Sequence, residues 1–435
     1  MLAYTAVTMR SYLSADWTLR SGLLMIFLVG TLLVANAGGG AVNTAVAVYQ
    51  PSTGIGGANE TAASQVAEAE ASLDAGHQPA RPGATACTSC RTNRAEYPNA
   101  SPYTLTGSNS LHSVRIATGP SPKASSWSQM AYDPKDGYVV LFGAGFNGYI
   151  PYDNETWEFQ HGNWTELYPT VVPPARVWAS MTYDAKDGYL LMFGGYGLNS
   201  SGAPWYLNDS WAFSGGNWLE LTPHHSPHIR DNAGMAYDAT DGYVLLFGGN
   251  YGYQVTLLSD TWKFAGGQWT RLSPSSHPGQ RTGATVAYDN TTREILLFGG
   301  WGNSSLYGGR TGLLNGTWAF SRGNWAQEIP KVSPPAREFA SMAFDAADGY
   351  LVLYGGYGGK IHGSTVAMLN DTWKFVKGNW AQISRDHRPS PRDYALMVYD
   401  GRDGYVVLFG GQGPRTLPLG DTWEFSHGIW TRIDS

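Results

Sequence analysis

Ala179-Ser-Met-Thr-Tyr-Asp184, Asp187-Gly-Tyr-Leu-Leu-Met-Phe-Gly-Gly195, Asn208-Asp-Ser-Trp-Ala-Phe213 and Gly216-Asn-Trp218 are the constant pieces of one repeat. The chain carries that repeat six times between Ser121 and its C-terminus. Its paired tryptophans measure the period: Trp157/Trp164, Trp211/Trp218, Trp262/Trp269, Trp318/Trp325, Trp373/Trp380 and Trp423/Trp430. Every pair is seven residues apart, whereas successive pairs are 50 to 56 apart, so the link inside a pair is structural and insertions fall elsewhere. Self-similarity at this period decides the architecture before any single residue is considered.

Each copy holds four strand signals separated by turn signals. Strand a (Ser128 to Asp133 in the first copy) is rich in small residues, which suits a place where strands converge on an axis. Strand b (Tyr138-Val-Val-Leu-Phe142) is apolar on both faces, as a strand sandwiched between neighbouring sheets must be. Strands c and d carry the two Trp, large enough to fill a wedge that widens away from the axis. A taper from small to large across four strands describes one blade of a β-propeller, so the expected fold is all-β with six blades. Strands a and b are joined by Asp-x-x-Asp-Gly in five copies, while the fourth reads Asp289-Asn-Thr-Thr-Arg-Glu294 and lacks the Gly. Asp can hold its own backbone two residues on and Gly can take φ > 0, so these pairs read as turns; calcium ligation would want further acidic ligands nearby.

Phe-Gly-Gly followed by Asp-Thr-Trp and a spaced second Trp resembles the kelch repeat, and the six copies resemble a kelch β-propeller over residues 121–435. The first copy departs from the pattern at Phe142-Gly-Ala-Gly145. Such propellers serve as adaptors, adhesins and occasional enzymes, so the resemblance implies a fold and leaves the function to the site. Galactose-oxidase-like members need a copper site with a Tyr–Cys cross-link, and residues 121–435 contain no Cys. Sialidase-type Ser-x-Asp-x-Gly-x-x-Trp boxes and nucleophile elbows are also missing. No cofactor or metal is expected.

Composition bounds the rest. The chain has 435 residues with 28 Lys and Arg against 34 Asp and Glu, a net charge of −6. That balance argues against nucleic-acid binding, which wants a basic face. Residues 1–20 read as a short cytoplasmic n-region with Arg10 and Arg20. Within 21–37, the run Leu23-Leu-Met-Ile-Phe-Leu-Val-Gly-Thr-Leu-Leu-Val34 precedes an Ala35-Asn-Ala37 cleavage pattern, so it is a signal peptide or an uncleaved anchor helix. Both place the propeller outside the cell. Residues 38–120 are rich in Gly, Ala, Ser, Thr and Pro and read as a flexible stalk. Cys87 and Cys90, the chain's two cysteines, lie there; a disulfide within or between chains suits an oxidising compartment, with a redox pair or half a zinc site as alternatives. Ten Asn-x-Ser/Thr sequons, at Asn59, Asn99, Asn154, Asn163, Asn199, Asn208, Asn290, Asn303, Asn315 and Asn370, suit a glycosylated surface.

Up-and-down strands put the tight a–b and c–d turns on one face and the long b–c and d–a links on the other, where ligand contacts are expected. The b–c loops carry aromatics among Gly, Asn and Ser, notably Trp205, Tyr206, Tyr251, Trp301 and Tyr357; these either form a recognition surface or fold back onto blade tops. The d–a links place Arg176, Arg230, Arg281, Arg337 and Arg392 just before strand a, with Ser125 breaking the series. Five guanidiniums could line a channel mouth and hold a carboxylate or sulfate, or each could serve as a structural pair with a group of the adjacent blade. Pro223-His224-His225-Ser-Pro-His228 would need donors such as His277 or His387 to bind a metal, and otherwise is an exposed loop. The expectation is an extracellular binding or adhesion module for a protein or glycan, tethered to the membrane if the N-terminal helix is retained. The alternative is a secreted carbohydrate-active enzyme of isomerase or lyase type with its site at an arginine-lined channel mouth.

Overall fold

The computed structural model describes residues 121–143, 153–198, 203–252, 255–303, 311–359, 367–384 and 387–433. The apolar run at 23–34 and the stalk at 38–120 with Cys87 and Cys90 lie outside these residues. Among the described residues each of the six copies of the repeat builds one antiparallel sheet in the order a-b-c-d, four-stranded in five copies and five-stranded in the second, where Arg176–Val177 adds a short strand to the long strand b. In sheet 1 strand a is Gln129–Asp133, b is Tyr138–Phe142, c is Thr156–Gln160 and d is Asn163–Leu167. In sheet 6 the same positions are Leu396–Asp400, Tyr405–Phe409, Thr422–Ser426 and Ile429–Arg432. Each strand a contacts the strand a of the next sheet, and that of sheet 6 returns to that of sheet 1, so the sheets form a closed ring of propeller blades around a channel.

Burial follows the expected taper. Val139, Val140 and Leu141 of strand b are wholly excluded from solvent, and the six apolar clusters of the core each join two neighbouring blades. The second Trp of each pair packs against the aromatic residue ending strand b of the preceding blade, with centroids 4.9 to 5.1 Å apart. It also donates its indole N–H to the first Thr or Ser of the preceding strand c. Trp218 reaches Thr156, Trp269 reaches Ser210, Trp325 reaches Thr261, Trp380 reaches Thr317 and Trp430 reaches Thr372, at 2.9 to 3.1 Å. Trp164 makes the same bond to Thr422 at 3.0 Å and so locks the first blade to the last. The ring therefore closes by this side-chain bond together with backbone bonds from Ser125 N–H to the Leu419 carbonyl and from Gly411 N–H to the Ser125 carbonyl, both 2.8 Å, with every blade keeping its own strands a to d.

The a–b turns are Asx turns. Asp133 Oδ1 accepts the backbone N–H of Lys135 and Asp136, and Gly137 at φ 77° donates to the Asp133 carbonyl. In the fourth copy Arg293 takes the glycine's place at φ 61° and makes the same bond to Asp289. The Phe-Gly-Gly glycines have a separate reason. A Cβ on Gly194, at φ 65°, would lie 2.7 Å from the Arg230 carbonyl of the next blade. Only glycine admits that approach without strain.

Thr422→Val keeps the side-chain volume but strands the buried Trp164 N–H at the closing interface. It should lower stability by about 1–3 kcal/mol, measured by urea unfolding of the full chain. Trp164→Ala, which also empties the wedge, should cost about 3–5 kcal/mol.

Candidate functional site

The channel opens on the face of the b–c and d–a links through a hoop of six equivalent residues, each two positions after the d–a arginine or its substitute. They are Trp127, Trp178, Asn232, Gly283, Phe339 and Tyr394, and all have left-handed backbone, φ 51–77°. That conformation turns each amide toward its neighbour. Trp178 donates to the Trp127 carbonyl, Asn232 to Trp178, Gly283 to Asn232, Phe339 to Gly283 and Tyr394 to Phe339, at 2.8 to 3.2 Å. Left-handed backbone costs non-glycine residues about 1–2 kcal/mol, and the hoop's shared bonds oppose that cost. Phe339 and Tyr394 stack at 3.9 Å, and Gly283 makes room for Phe339, whose ring lies 2.5 Å from where a Cβ would stand.

Below the hoop lies a cavity of about 230 Å³, and a second of about 380 Å³ follows toward the opposite face. Met130, Met181, Met235, Val286, Met342 and Met397 line both, so the middle of strand a is bulkier than its small-residue ends suggest. Two buried polar atoms of the upper cavity's lining, Trp178 Nε1 and Gln129 Oε1, have no hydrogen-bond partner among the described residues.

Between the arginine and the hoop residue, three blades carry a carboxyl: Asp231, Glu338 and Asp393. Burial raises Asp231 and Asp393 to about 7 each, and burial together with the Asp393 charge raises Glu338 to about 8. Burial, then the Glu338 charge, also drives the Tyr394 phenol well above its ordinary value. The hoop is thus mainly aromatic, and these carboxyls lie near Tyr394 rather than among the residues that line the cavity. None of the five arginines lines that cavity, which corrects the arginine-lined mouth expected above.

The guanidiniums lie elsewhere, buried within their own blades. Arg176, Arg230, Arg337 and Arg392 form bidentate pairs with Asp209, Asp260, Asp371 and Asp421 at 2.6–2.8 Å. Each also donates to the carbonyl of the first Gly of its Phe-Gly-Gly or Tyr-Gly-Gly, at 2.9 to 3.1 Å. The same aspartates accept the N–H of the first Trp of the pair at 2.7 Å. These four arginines are clamps that tie the d–a link to strand c of the same blade, where an adjacent-blade partner was expected. In blade 1 Ser125 stands at the arginine position, and the exposed Lys123, two residues earlier, reaches Asp153 and Glu155 at 3.0 Å. Arg281 faces Gly316 where the other four arginines face an aspartate.

The loop aromatics divide. Trp205 and Tyr357 are 43% and 38% exposed, whereas Tyr206, Tyr251 and Trp301 are half-buried. In blade 2 they continue the hoop: Trp178 lies 6.2 Å from Tyr196, Tyr196 lies 5.2 Å from Tyr206, and Tyr206 lies 6.5 Å from Trp205. Tyr251 packs against His228 at 4.3 Å, which gives the histidine loop an ordinary packing role. Among the described residues no group of three or more His, Cys, Asp or Glu is placed to hold a metal ion. None of their helices is long and apolar enough to cross a membrane, and the run at 23–34 lies outside them. The hoop was missed from sequence, although its signal is there: a variable residue two after the arginine and just before a small one.

Residues 234–435 match the family model described as the KLHDC2/KLHL20/DRC7 Kelch-repeats domain. The chain is 29% identical over 289 residues to multiple epidermal growth factor-like domains protein 8 of Rattus norvegicus, and 28% identical over 287 residues to that of Homo sapiens. Each alignment takes in 60% of this chain and 9% of the relative's length. The solved structure of YjhT superposes with a TM-score of 0.53 at 18% identity, covering 74% of this chain and 99% of that one, a likeness of fold.

Two consequences can be measured. Hydrogen bonds from arginine and Trp hold the Asp260, Asp371 and Asp421 carboxyls below their ordinary value against the opposing effect of burial. Their stabilisation is therefore complete above the unfolded-state value of about 4 and is lost as pH falls through the lower folded value. Asp371→Ala, which strands a buried guanidinium, should cost about 3–5 kcal/mol at pH 7, read from urea unfolding. The carboxyls of Asp231, Glu338 and Asp393 act in the opposite sense and in another window. Their raised values mean that the native state keeps protons the unfolded chain has released, so stability falls as pH rises from about 4 through 7 to 8. The Tm should decline between pH 5 and 9, and Glu338→Gln should flatten that decline.

Proposed function

We propose, from the premise that this chain belongs to the kelch-repeat β-propeller family, that it is an extracellular binding module that docks a protein or glycan on its b–c and d–a face. The observation that carries this reading is the aromatic path Trp178–Tyr196–Tyr206–Trp205, running from the channel hoop to an exposed indole. Rigid aromatics present large contact area at little entropic cost, and Trp and Tyr dominate binding surfaces energetically. The clamped arginines fit the same reading, since four of the five charges are spent on holding the loop bases still. Export is supported by the apolar run behind Arg10 and Arg20 and by the sequons. The relatives' names add to it, because epidermal growth factor-like domains belong to the disulfide-rich secreted class. Retention of the N-terminal helix would make the module a tethered one.

A second reading, a carbohydrate-active enzyme, takes its support from Glu338 and Asp393, whose raised values would suit proton transfer beside the upper cavity.

The full chain probed against arrays of glycans and secreted proteins separates the two. Binding weakened about tenfold or more by Trp205→Ala or Tyr357→Ala is expected for the docking face. No binding on either array, together with turnover of an acidic sugar that Glu338→Gln abolishes, would overturn the first reading in favour of the second.

A further inference from the structure

Blade 4 keeps the arginine of the clamp and has lost its carboxylate. Arg281 is 5% exposed and repeats the pose of Arg230: Nε donates to the Gly279 carbonyl and Nη1 to the Gly299 carbonyl, each at 3.0 Å. The residue that should face it is Gly316, at the position of Asp209, Asp260, Asp371 and Asp421. Trp318, whose counterparts give their indole N–H to that aspartate, loses its acceptor as well. Among the described residues nothing accepts from Arg281 Nη2 or Trp318 Nε1. Three N–H groups are thus left facing the place where four other blades hold a carboxylate.

Among the described residues no acid takes its place. No Asp or Glu occurs between Glu294 and Glu328, a stretch that includes the whole b–c loop of this blade. Burial unopposed by a carboxylate lowers Arg281 to about 10, which still leaves it a cation at neutral pH. An unpaired buried charge is expensive and a planar guanidinium matches a planar carboxylate in two parallel hydrogen bonds, so the gap favours that ligand. It is reachable, because the aspartates that fill it in the other blades keep 14–24% of their side chains exposed.

We propose that the gap at Gly316 is a carboxylate-binding site in which Arg281 Nη1 and Nη2 and Trp318 Nε1 grip an incoming carboxylate, from a small acid or from an acidic side chain of a partner. The site is independent of what docks on the loop aromatics. Gly316→Asp is its intramolecular occupant: the added Cβ would stand 3.4 Å from Trp318 Nε1, an ordinary contact, on a backbone outside the left-handed region.

Thermal unfolding of the full chain in sodium acetate, against sodium chloride at matched ionic strength and pH 7, tests the proposal. A saturable rise in Tm with acetate is expected. Gly316→Asp should melt higher than the wild type in chloride and lose the response to acetate, and Arg281→Met should lose it too. Titration with a peptide whose one acid is an internal aspartate distinguishes the sources. Protection at concentrations well below those of acetate assigns the site to a partner's side chain, and protection at comparable or higher concentrations to free acids. Acetate acting no differently from chloride on the wild type, or equally on wild type and Arg281→Met, would overturn the proposal even if Gly316→Asp fails to fold.

Discussion

The indole N–H of the second Trp in each repeat, given to a buried Thr or Ser of the preceding blade, is the interaction on which the ring depends. Propeller blades contact their neighbours through apolar faces, and apolar packing does not choose its own register. A hydrogen bond in a buried wedge does choose, because missing it strands the donor. Repeated six times, the bond sets the angle between successive blades, and the Trp164–Thr422 copy lets the last blade find the first without exchanging a strand. Seven-residue spacing of the tryptophans follows directly: one Trp on strand c and one on strand d are joined by a turn that admits no insertion.

A second tier of structure rests on that ring. Each blade raises a d–a link that must be held at its base, and in four of them a buried arginine does this by joining strand c, the carbonyl of the first Gly of the Gly-Gly pair and the link itself. With the links held, the second residue after the arginine can adopt left-handed backbone and form the hoop around the channel. The charge logic then separates by depth. Arginines face inward to aspartates, while the residues between them and the hoop put Asp231, Glu338 and Asp393 near Tyr394. The same chain segment therefore supplies a cationic clamp and an acidic group one residue apart, because alternate side chains of an extended strand point to opposite sides.

The fold was legible in the sequence because its constant residues are read locally. Period, alternation and turn chemistry at Asp133 to Gly137 or Phe193 to Gly195 each need only neighbouring residues to be interpreted. The arginine series was equally visible but its meaning was not. Arg176 and Asp209 are 33 residues apart, and nothing local says whether a guanidinium turns to a partner inside its own blade or to the channel. The loop aromatics were visible in the sequence as a group, yet which of them stay exposed depends on packing between neighbouring loops. Tyr251 on His228 and Tyr206 on Tyr196 are pairs that no spacing rule would give.

By itself, the sequence determined the strand order, the number of repeats, the turn types and the apolar wedges, because each is a local or periodic property written into adjacent residues. Tertiary structure decided which charges are spent and which are left over. Only the folded blade brings Arg337 onto Asp371 and leaves Arg281 facing a glycine, and only the closed ring gathers Asp231, Glu338 and Asp393 near Tyr394. Those outcomes rest on distances between residues far apart in the chain, and electrostatics depends on distance and burial rather than on order.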